Sequence, residues 1–274
     1  MTHITQFNSA ISTANRAFNY GDGCFTTIAV VNGKARLIER HMSRLQHDAD
    51  KLGLKVDAWN EINEEVGKRA AELSYGVLKV LISRGEGGRG YAPDETETPE
   101  VWISEHSMPV HYAQWRQHGI MLGVSGVHLS KQPLLAGIKH LNRLEQVLVK
   151  QASVGSDCQE HVVCCEQGFM LECSASNLFW RTKGVWYTPD LASNGVNGIM
   201  RDVLLARFAN HGAIVSHIQA KPEALIEAEV VFICNALMDM VPVRQFQIAD
   251  VCTEYNLATF ETLRSTMLCD KDTP

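Results

Sequence analysis

A single lysine stands in a setting of apolar and small residues near the middle of the chain. Lys139 follows Gly137 and Ile138 in the segment LAGIKHLNRLEQVL, which covers residues 135–148. A lysine held among apolar neighbours loses hydration, which lowers its pKa and makes the amine nucleophilic. A solvated lysine at the start of a helix is the commoner situation, and the local sequence alone leaves both interpretations open.

The same segment has the spacing of an amphipathic helix. Leu141, Leu144, Val147 and Leu148 recur at intervals of three or four residues, which is the period of one helix face. We therefore predict a helix with Lys139 at its beginning and these four side chains in the core.

Two arginines stand in a glycine-rich loop at 84–91. Arg84 and Arg89 follow an apolar strand pattern, and guanidinium groups bind planar carboxylates in a bidentate manner. Solvated loop arginines are an equally good interpretation. A nucleotide site is disfavoured, because no helix pattern opens directly after the last glycine of the loop.

Further groups suited to binding charge lie in the second half of the chain. Glu172 precedes a run of small polar residues, and it is either a turn residue or a buried carboxylate aimed at a cationic ring nitrogen. Asn197-Gly198 precedes a helix pattern that begins near Ile199, where exposed N–H groups favour anions. A second turn follows a strand pattern at Asn235.

Composition restricts the classes of function. The chain has 274 residues, a net charge of -6 and a pI of about 6.0, which speak against non-specific nucleic-acid binding. Its eight cysteines form no C-x-x-C pair, so neither a disulfide framework nor a zinc site is predicted. Residues 1–6 lack the regions of a signal peptide, and no apolar run is long enough to span a membrane. A reducing cytoplasm is the expected location.

Strand and helix patterns are mixed along the chain without regular βαβ alternation. This favours an α+β fold in two layers. Pro109 lies in a connector at 109–118, so we predict an N-terminal domain at 1–108 and a C-terminal domain at 119–274. Asn32-Gly33 between two apolar runs predicts a hairpin.

Taken together, these motifs resemble the fold-type IV pyridoxal-phosphate (PLP) enzymes, the family of branched-chain and D-amino-acid aminotransferases. The matching motifs run in the family's order: YGDGCF at 20–25, HMSRL at 41–45, the Lys139 segment, Glu172 with SNLF at 176–179, NGIMR at 197–201, and CNA at 234–236 through VPV at 241–243. The resemblance implies a smaller N-terminal α/β sandwich, a larger C-terminal pseudo-barrel domain, and a homodimer.

The resemblance also implies roles for individual residues. Lys139 binds PLP covalently and acts as the base, Glu172 contacts the pyridine nitrogen, and Thr27 contacts the cofactor or relays a proton. The phosphate ligands are Arg44 and the backbone N–H groups at two turns, namely Ile199, Met200, Asn235 and Ala236.

Three motifs resemble the aminodeoxychorismate lyases of this family more than its aminotransferases. They are GDGCFTT at 21–27, SRG through GRGY at 83–91, and AGIKHLNRLEQVL at 136–148. This likeness implies elimination of pyruvate from 4-amino-4-deoxychorismate to give 4-aminobenzoate, a folate precursor. Arg84, Arg89 and Asn142 are then candidates for binding the substrate. A branched-chain or D-amino-acid aminotransferase is the alternative, and no metal is expected.

Overall fold

The computed structural model of the protein describes residues 2–6, 11–88, 90–93 and 98–268. The chain divides into two compact units. The described part of residues 2–108 forms the first unit together with Ile138–Asn142, and Pro109–Gly137 with the chain from Arg143 forms the second. Both units combine helices with mainly antiparallel sheet, so the predicted α+β class is confirmed. The predicted boundaries of independent domains stay a prediction.

The first unit is built on a five-stranded sheet with the order β1-β5-β4-β2-β3. Its elements are β1 (His3–Gln6), α1 (Arg16–Tyr20), β2 (Gly23–Val31), β3 (Lys34–Ala35), α2 (Ile38–Lys51), α3 (Trp59–Leu73), β4 (Gly76–Ser83) and β5 (Glu100–His106). The predicted hairpin joins β2 to β3, and both turn residues, Asn32 and Gly33, have positive φ angles of 52° and 73°. This is the turn type that matches the twist of paired strands.

Helix α2 covers one face of the sheet in the first unit. Its side chains Met42, Leu45 and Ala49 are buried in a core that includes Ile28 and Val30 of β2. Polar side chains are buried on the same two elements, and they are Thr26, His41 and Asp48. Because buried polar groups are costly unless they are hydrogen-bonded, these three residues mark a place with a specific role.

The second unit is built on a nine-stranded sheet, in which eight strands have the order β11-β10-β9-β12-β13-β6-β7-β8 and β14 pairs with β13. Its elements are α4 (His111–His118), β6 (Ile120–Val124), α5 (Leu144–Ala152), β7 (Glu160–Cys164), β8 (Met170–Cys173), β9 (Asn177–Thr182), β10 (Val185–Pro189), α6 (Ile199–Asn210), β11 (Val215–Ile218), β12 (Val230–Asn235), β13 (Asp239–Ile248), β14 (Val251–Glu254) and α7 (Leu257–Met267). No helix in the described part of the chain is long and apolar enough to cross a membrane.

Aromatic side chains hold α6 against the sheet of the second unit. The rings of Phe179 and Phe232 stack with centroids 5.1 Å apart, and Phe208 of α6 lies 6.2 Å from Phe179. All three rings are buried. This packing holds the C-terminal part of α6. The helix begins at Ile199, which confirms the predicted helix start.

The predicted helix beginning at Lys139 is wrong. Helix α5 begins only at Leu144, and the side chains of Leu144, Val147 and Leu148 are 70%, 57% and 44% exposed. Val149 supplies the buried contact of α5 instead. The segment around Lys139 pairs with β2 rather than with its own following turn, so tertiary hydrogen bonds override the local helical period.

Candidate active site

Both backbone polar groups of Lys139 are hydrogen-bonded. The N–H of Phe25 donates to the Lys139 carbonyl at 3.0 Å, and the N–H of Lys139 donates to Asp48 Oδ2 at 2.9 Å. Two residues on, the N–H of Leu141 donates to the Gly23 carbonyl at 2.9 Å. These bonds attach the lysine segment to the beginning of β2 and leave its backbone little freedom.

The side chain of Lys139 lies against an aromatic ring shared with a second lysine. Lys139 Nζ is 4.6 Å and Lys79 Nζ is 4.9 Å from the centroid of the Phe25 ring. Thr27 lies directly opposite Lys79 in the β2–β4 pairing, two residues from Phe25 and therefore on the same face. Lys79 was not predicted as a site residue, because a lysine in a strand that alternates apolar and polar residues has the pattern of a solvent-facing residue.

Two glycines allow the lysine segment to approach β2 closely. A Cβ on Gly23 would lie 2.1 Å from the Ile82 carbonyl oxygen and 2.8 Å from Leu141. Gly21 has a φ of 64°, and Asn142 packs against it and donates through Nδ2 to its carbonyl at 3.1 Å. Asn142 thus has a structural contact, and its predicted role in substrate binding stays a prediction.

Arg44 belongs to a buried network of three polar side chains. Arg44 Nη2 donates to Thr26 Oγ1 at 2.5 Å, and Thr26 Oγ1 lies 2.6 Å from His41 Nδ1. While it accepts from Arg44, the Thr26 hydroxyl is able to donate its own hydrogen to His41 Nδ1, an arrangement that suits a neutral imidazole. Burial, and then the charge of Arg44, lower the pKa of His41 well below its usual value, in agreement with the neutral form.

Arg84 binds a carboxylate of the chain itself. Its Nε and Nη2 donate to Asp22 at 2.8 and 3.1 Å, and further bonds reach the carbonyls of Leu52 and Gly53. Burial raises the pKa of Asp22, but hydrogen bonds from Arg84 and Arg16 outweigh burial, so this pKa is lowered. The solvated-loop interpretation of Arg84 is therefore wrong, and substrate binding by Arg84 would have to compete with these contacts.

Arg16 holds the glycine-rich loop in place. Its Nη2 donates to the Tyr91 carbonyl at 2.8 Å, its Nε donates to Asp22 at 2.9 Å, and its side chain is buried. The same loop is bonded where the N–H of Arg16 donates to the Gly85 carbonyl at 2.9 Å. Arg89, the other predicted ligand of substrate carboxylates, lies outside the described residues.

In the second unit, the Glu172 side chain is fixed by the segment before α6. It lies on β8 and is 6% exposed, and its Oε2 accepts from the N–H of Val196 at 2.8 Å. Asn177 Nδ2 donates to the carbonyl of the same Val196 at 2.9 Å. A carboxylate that is buried and oriented in this way is suited to holding a cationic ring nitrogen.

The N-terminus of α6 comes close to Asn177. Gly198 is the N-cap residue and has no side-chain capping bond, and a Cβ there would lie 2.1 Å from Asn177 Oδ1. The first N–H groups of a helix have no partners within the helix, and in α6 they belong to Ile199 and Met200. This arrangement suits an anion.

The turn after β12 is fixed by the Asn235 side chain. Its Oδ1 accepts from the N–H groups of Leu237 and Met238, both at 2.9 Å, and its Nδ2 donates to the Ala175 carbonyl at 3.0 Å. These bonds set the conformation of Ala236, which lies between them. They also connect the turn to the segment that follows Glu172.

Comparisons with known proteins identify the family. Residues 23–246 match the model for class IV aminotransferases. The chain belongs to the class IV aminotransferase family. The resemblance stated from the sequence is thereby confirmed.

Individual members of this family are similar over most of their length. An aminodeoxychorismate lyase of Vibrio harveyi is 36% identical over 229 residues, which is 84% of either chain. The crystal structure of 4-amino-4-deoxychorismate lyase from Pseudomonas aeruginosa is 34% identical with a TM-score of 0.88 and covers 97% of either chain. The branched-chain amino acid aminotransferase of Escherichia coli shares the fold at 22% identity, with a TM-score of 0.82 over 97% of this chain and 92% of that one.

The side chains present in this member of the family fit pyridoxal phosphate. Lys139 supplies an amine, and a buried, oriented carboxylate at Glu172 suits a protonated pyridine nitrogen. The uncapped start of α6, where Gly198 leaves no room for a side chain, suits a phosphate group. Arg44 supplies a guanidinium group that Thr26 and His41 orient.

Proposed function

We propose that the protein is a PLP-dependent aminodeoxychorismate lyase that converts 4-amino-4-deoxychorismate to 4-aminobenzoate and pyruvate. Similarity to the Vibrio harveyi lyase over 84% of both chains supports this activity. The observation that carries it is the geometry of Lys139, whose peptide is bonded on both edges and whose amine lies on the Phe25 ring. A reactive amine that projects from a backbone fixed in this way is suited to proton transfer at a defined carbon.

The cofactor-binding set is assigned from the family resemblance. Glu172 would hold the pyridine nitrogen protonated, and Lys139 would bind the cofactor aldehyde. The phosphate would be bound by a guanidinium group and by backbone N–H groups of two turns, namely Arg44, Ile199, Met200, Asn235 and Ala236. When bound, PLP acts as an electron sink that makes the carbon next to the substrate nitrogen acidic.

The chain's own residues then handle charge and protons. Lys139 Nζ removes the proton from the ring carbon that bears nitrogen, and it donates a proton as pyruvate leaves. Thr27 is placed on the Phe25 face of β2, where its hydroxyl can contact the cofactor or relay that proton. The ring becomes aromatic when the enolpyruvyl oxygen leaves, which makes the elimination favourable.

The two carboxylates of the substrate need cationic partners. Lys79 is a strong candidate, since its amine lies on the same ring as that of Lys139. Arg89 stays a predicted ligand, and Arg89→Ala should raise KM strongly if it binds a carboxylate. Arg84 and Asn142 are weaker candidates, because their side chains are engaged with the chain itself.

One experiment tests the activity and the lysine together. The purified enzyme is reduced with borohydride, the labelled peptide is mapped, and pyruvate release from aminodeoxychorismate is assayed without any keto acid. We expect a label on Lys139 and pyruvate with 4-aminobenzoate as products. Dependence on 2-oxoglutarate would instead indicate an aminotransferase, whose fold the chain shares. A label on another lysine would remove Lys139 from its role, and Lys139→Ala serves as the unlabelled control.

Three further properties belong to this proposal. By family resemblance the enzyme works as a homodimer in the cytoplasm. It acts on a small molecule rather than on nucleic acid or at a membrane. Sedimentation of the holoenzyme tests the dimer, which would give about twice the 30.4 kDa mass of the chain.

A further inference from the structure

We infer that Asp48 is a positioning residue for Lys139, fixing through one hydrogen bond the peptide from which the reactive amine projects. This inference rests on the proposed function, since it takes Lys139 as the reacting lysine. Asp48 lies in α2, far from Lys139 in sequence, and none of the motifs at the site includes it. Only the fold brings the two residues together.

The geometry at Asp48 is that of a buried side chain holding a backbone. Asp48 is fully buried, and its Oδ2 accepts the Lys139 N–H at 2.9 Å. On the other edge of the same residue, the Phe25 N–H donates to the Lys139 carbonyl at 3.0 Å. These two hydrogen bonds, one at the N–H and one at the carbonyl, restrain rotation of the peptide groups on both sides of Lys139. They also keep Lys139 in register with β2.

The Asp48 carboxylate takes the place of a backbone carbonyl of a neighbouring strand as the acceptor for Lys139. The residues from Gly137 to His140 lie in no helix and no continuous ladder; they form two isolated bridges, Cys24 with His140 and Gly137 with Val196. The N–H of Lys139 therefore depends on a side chain for its acceptor. A charged acceptor forms a stronger and shorter bond than a neutral one, which suits a single bond that has to define a position.

The charge of Asp48 has a compensating neighbour on its own helix. Arg44 lies four residues earlier, on the same helix face. Both charges act on the same thiol, since Cys24 has its pKa raised first by burial and then by Asp48, while Arg44 opposes the increase. The carboxylate thus shares one face of α2 with a guanidinium group, an oppositely charged neighbour of the kind that a buried charge requires.

The consequence for the reaction is kinetic. The amine has to reach one ring carbon at the correct distance, and misplacement by about 1 Å can cost on the order of 10²-fold in rate. A residue that only supported folding would change thermal stability without changing the turnover of folded enzyme. A positioning residue changes kcat more than KM, and it changes the local protection of the Lys139 amide.

The test compares three variants of the holoenzyme. Asp48→Leu removes the acceptor with an apolar group of similar size, and Asp48→Asn keeps an amide oxygen in its place. Asp50→Ala is the matched control, because Asp50 is an exposed carboxylate on the same helix. Hydrogen exchange is followed for the peptide that contains residues 137–142, together with kcat and KM in the lyase assay.

We expect Asp48→Leu to speed exchange of the Lys139 amide about tenfold or more and to lower kcat about 10- to 100-fold, with KM changed less. Asp48→Asn should retain protection and most of kcat, and Asp50→Ala should match the wild type. Unchanged exchange or unchanged kcat in folded Asp48→Leu would overturn the inference. So would an Asp48→Asn variant that keeps amide protection but loses turnover as fully as Asp48→Leu. If borohydride labels another lysine, the proposed function fails instead, and the exchange data still report on the bond.

Discussion

Phe25 contacts Lys139 twice, through its ring at 4.6 Å from Nζ and through its backbone N–H at 3.0 Å from the lysine carbonyl. Phe25→Leu removes only the first contact. A cation–π contact contributes about 0.5–1 kcal/mol where it is partly exposed, so kcat/KM should fall roughly two- to fivefold. Steady-state kinetics measure this, with the exposed Phe18 changed to leucine as control. A loss of kcat/KM equal to that of the control would show that the Phe25 ring has no effect on the Lys139 amine.

The second amine on that ring leads to a prediction about substrate binding. If Lys79 pairs with a substrate carboxylate, Lys79→Met should raise KM roughly 10- to 100-fold, and Lys79→Arg should recover part of the affinity. The KM difference should shrink at high salt, because an accessible ion pair is screened. The exposed Lys68 on α3 provides the matched control. A salt-independent KM equal to that of the wild type would rule out this pairing.

The close approach at the start of α6 predicts a glycine requirement. Gly198→Ala places a Cβ 2.1 Å from Asn177 Oδ1, which should cost about 1–3 kcal/mol of the unfolding free energy and weaken PLP binding. Gly67→Ala is the control, because a Cβ at this position in the middle of α3 meets no described atom within 4 Å apart from the adjoining backbone of its own helix. That change should stabilise the protein by roughly 0.5–1 kcal/mol. Denaturant unfolding and PLP titration distinguish the two variants.

The carboxylate shared by Arg16 and Arg84 predicts a dependence of stability on pH. The pKa of Asp22 is lowered in the folded state. Its contribution to the free energy of unfolding is therefore fully present above the ordinary Asp pKa of about 3.9, and it is lost as the pH falls through the lowered pKa of the folded protein. Asp22→Asn should therefore destabilise most at neutral pH, on the order of 3 kcal/mol. The difference should shrink below about pH 4. A difference that stays constant with pH would show that the charge of Asp22 contributes nothing.

Elements with local signals were predicted well from the sequence. The Asn32-Gly33 hairpin requires positive φ at both positions, and these residues adopt it readily. The helix from Ile199 to Asn210 begins after a glycine, as predicted. In both cases the information lies within a few neighbouring residues, which is why a pattern could recover it.

Features that depend on contacts between distant parts of the sequence, such as the conformation of the segment around Lys139, were not predicted. The leucine period at 141–148 favours a helix from Lys139, but backbone bonds to Gly23 and Phe25 hold that segment open. Asp48 and Lys79 were missed for the same reason, since each reaches the site from an element far away in the sequence. The family resemblance supplied Glu172 and Arg44, which no local pattern distinguished from ordinary charged residues.

The five residues Ile138–Asn142 join the first unit, although the chain on both sides of them belongs to the second. Neither unit is therefore one continuous stretch of polypeptide. A fragment ending at Met108 would lack the strip that bonds to Gly23 and Phe25, and a fragment beginning at Pro109 would carry that strip without its acceptor on α2. Neither half of the chain alone carries both Lys139 and the residues that orient it. Recombination between related genes near residue 108 would therefore take Lys139 from one parent and the residues that orient it from the other.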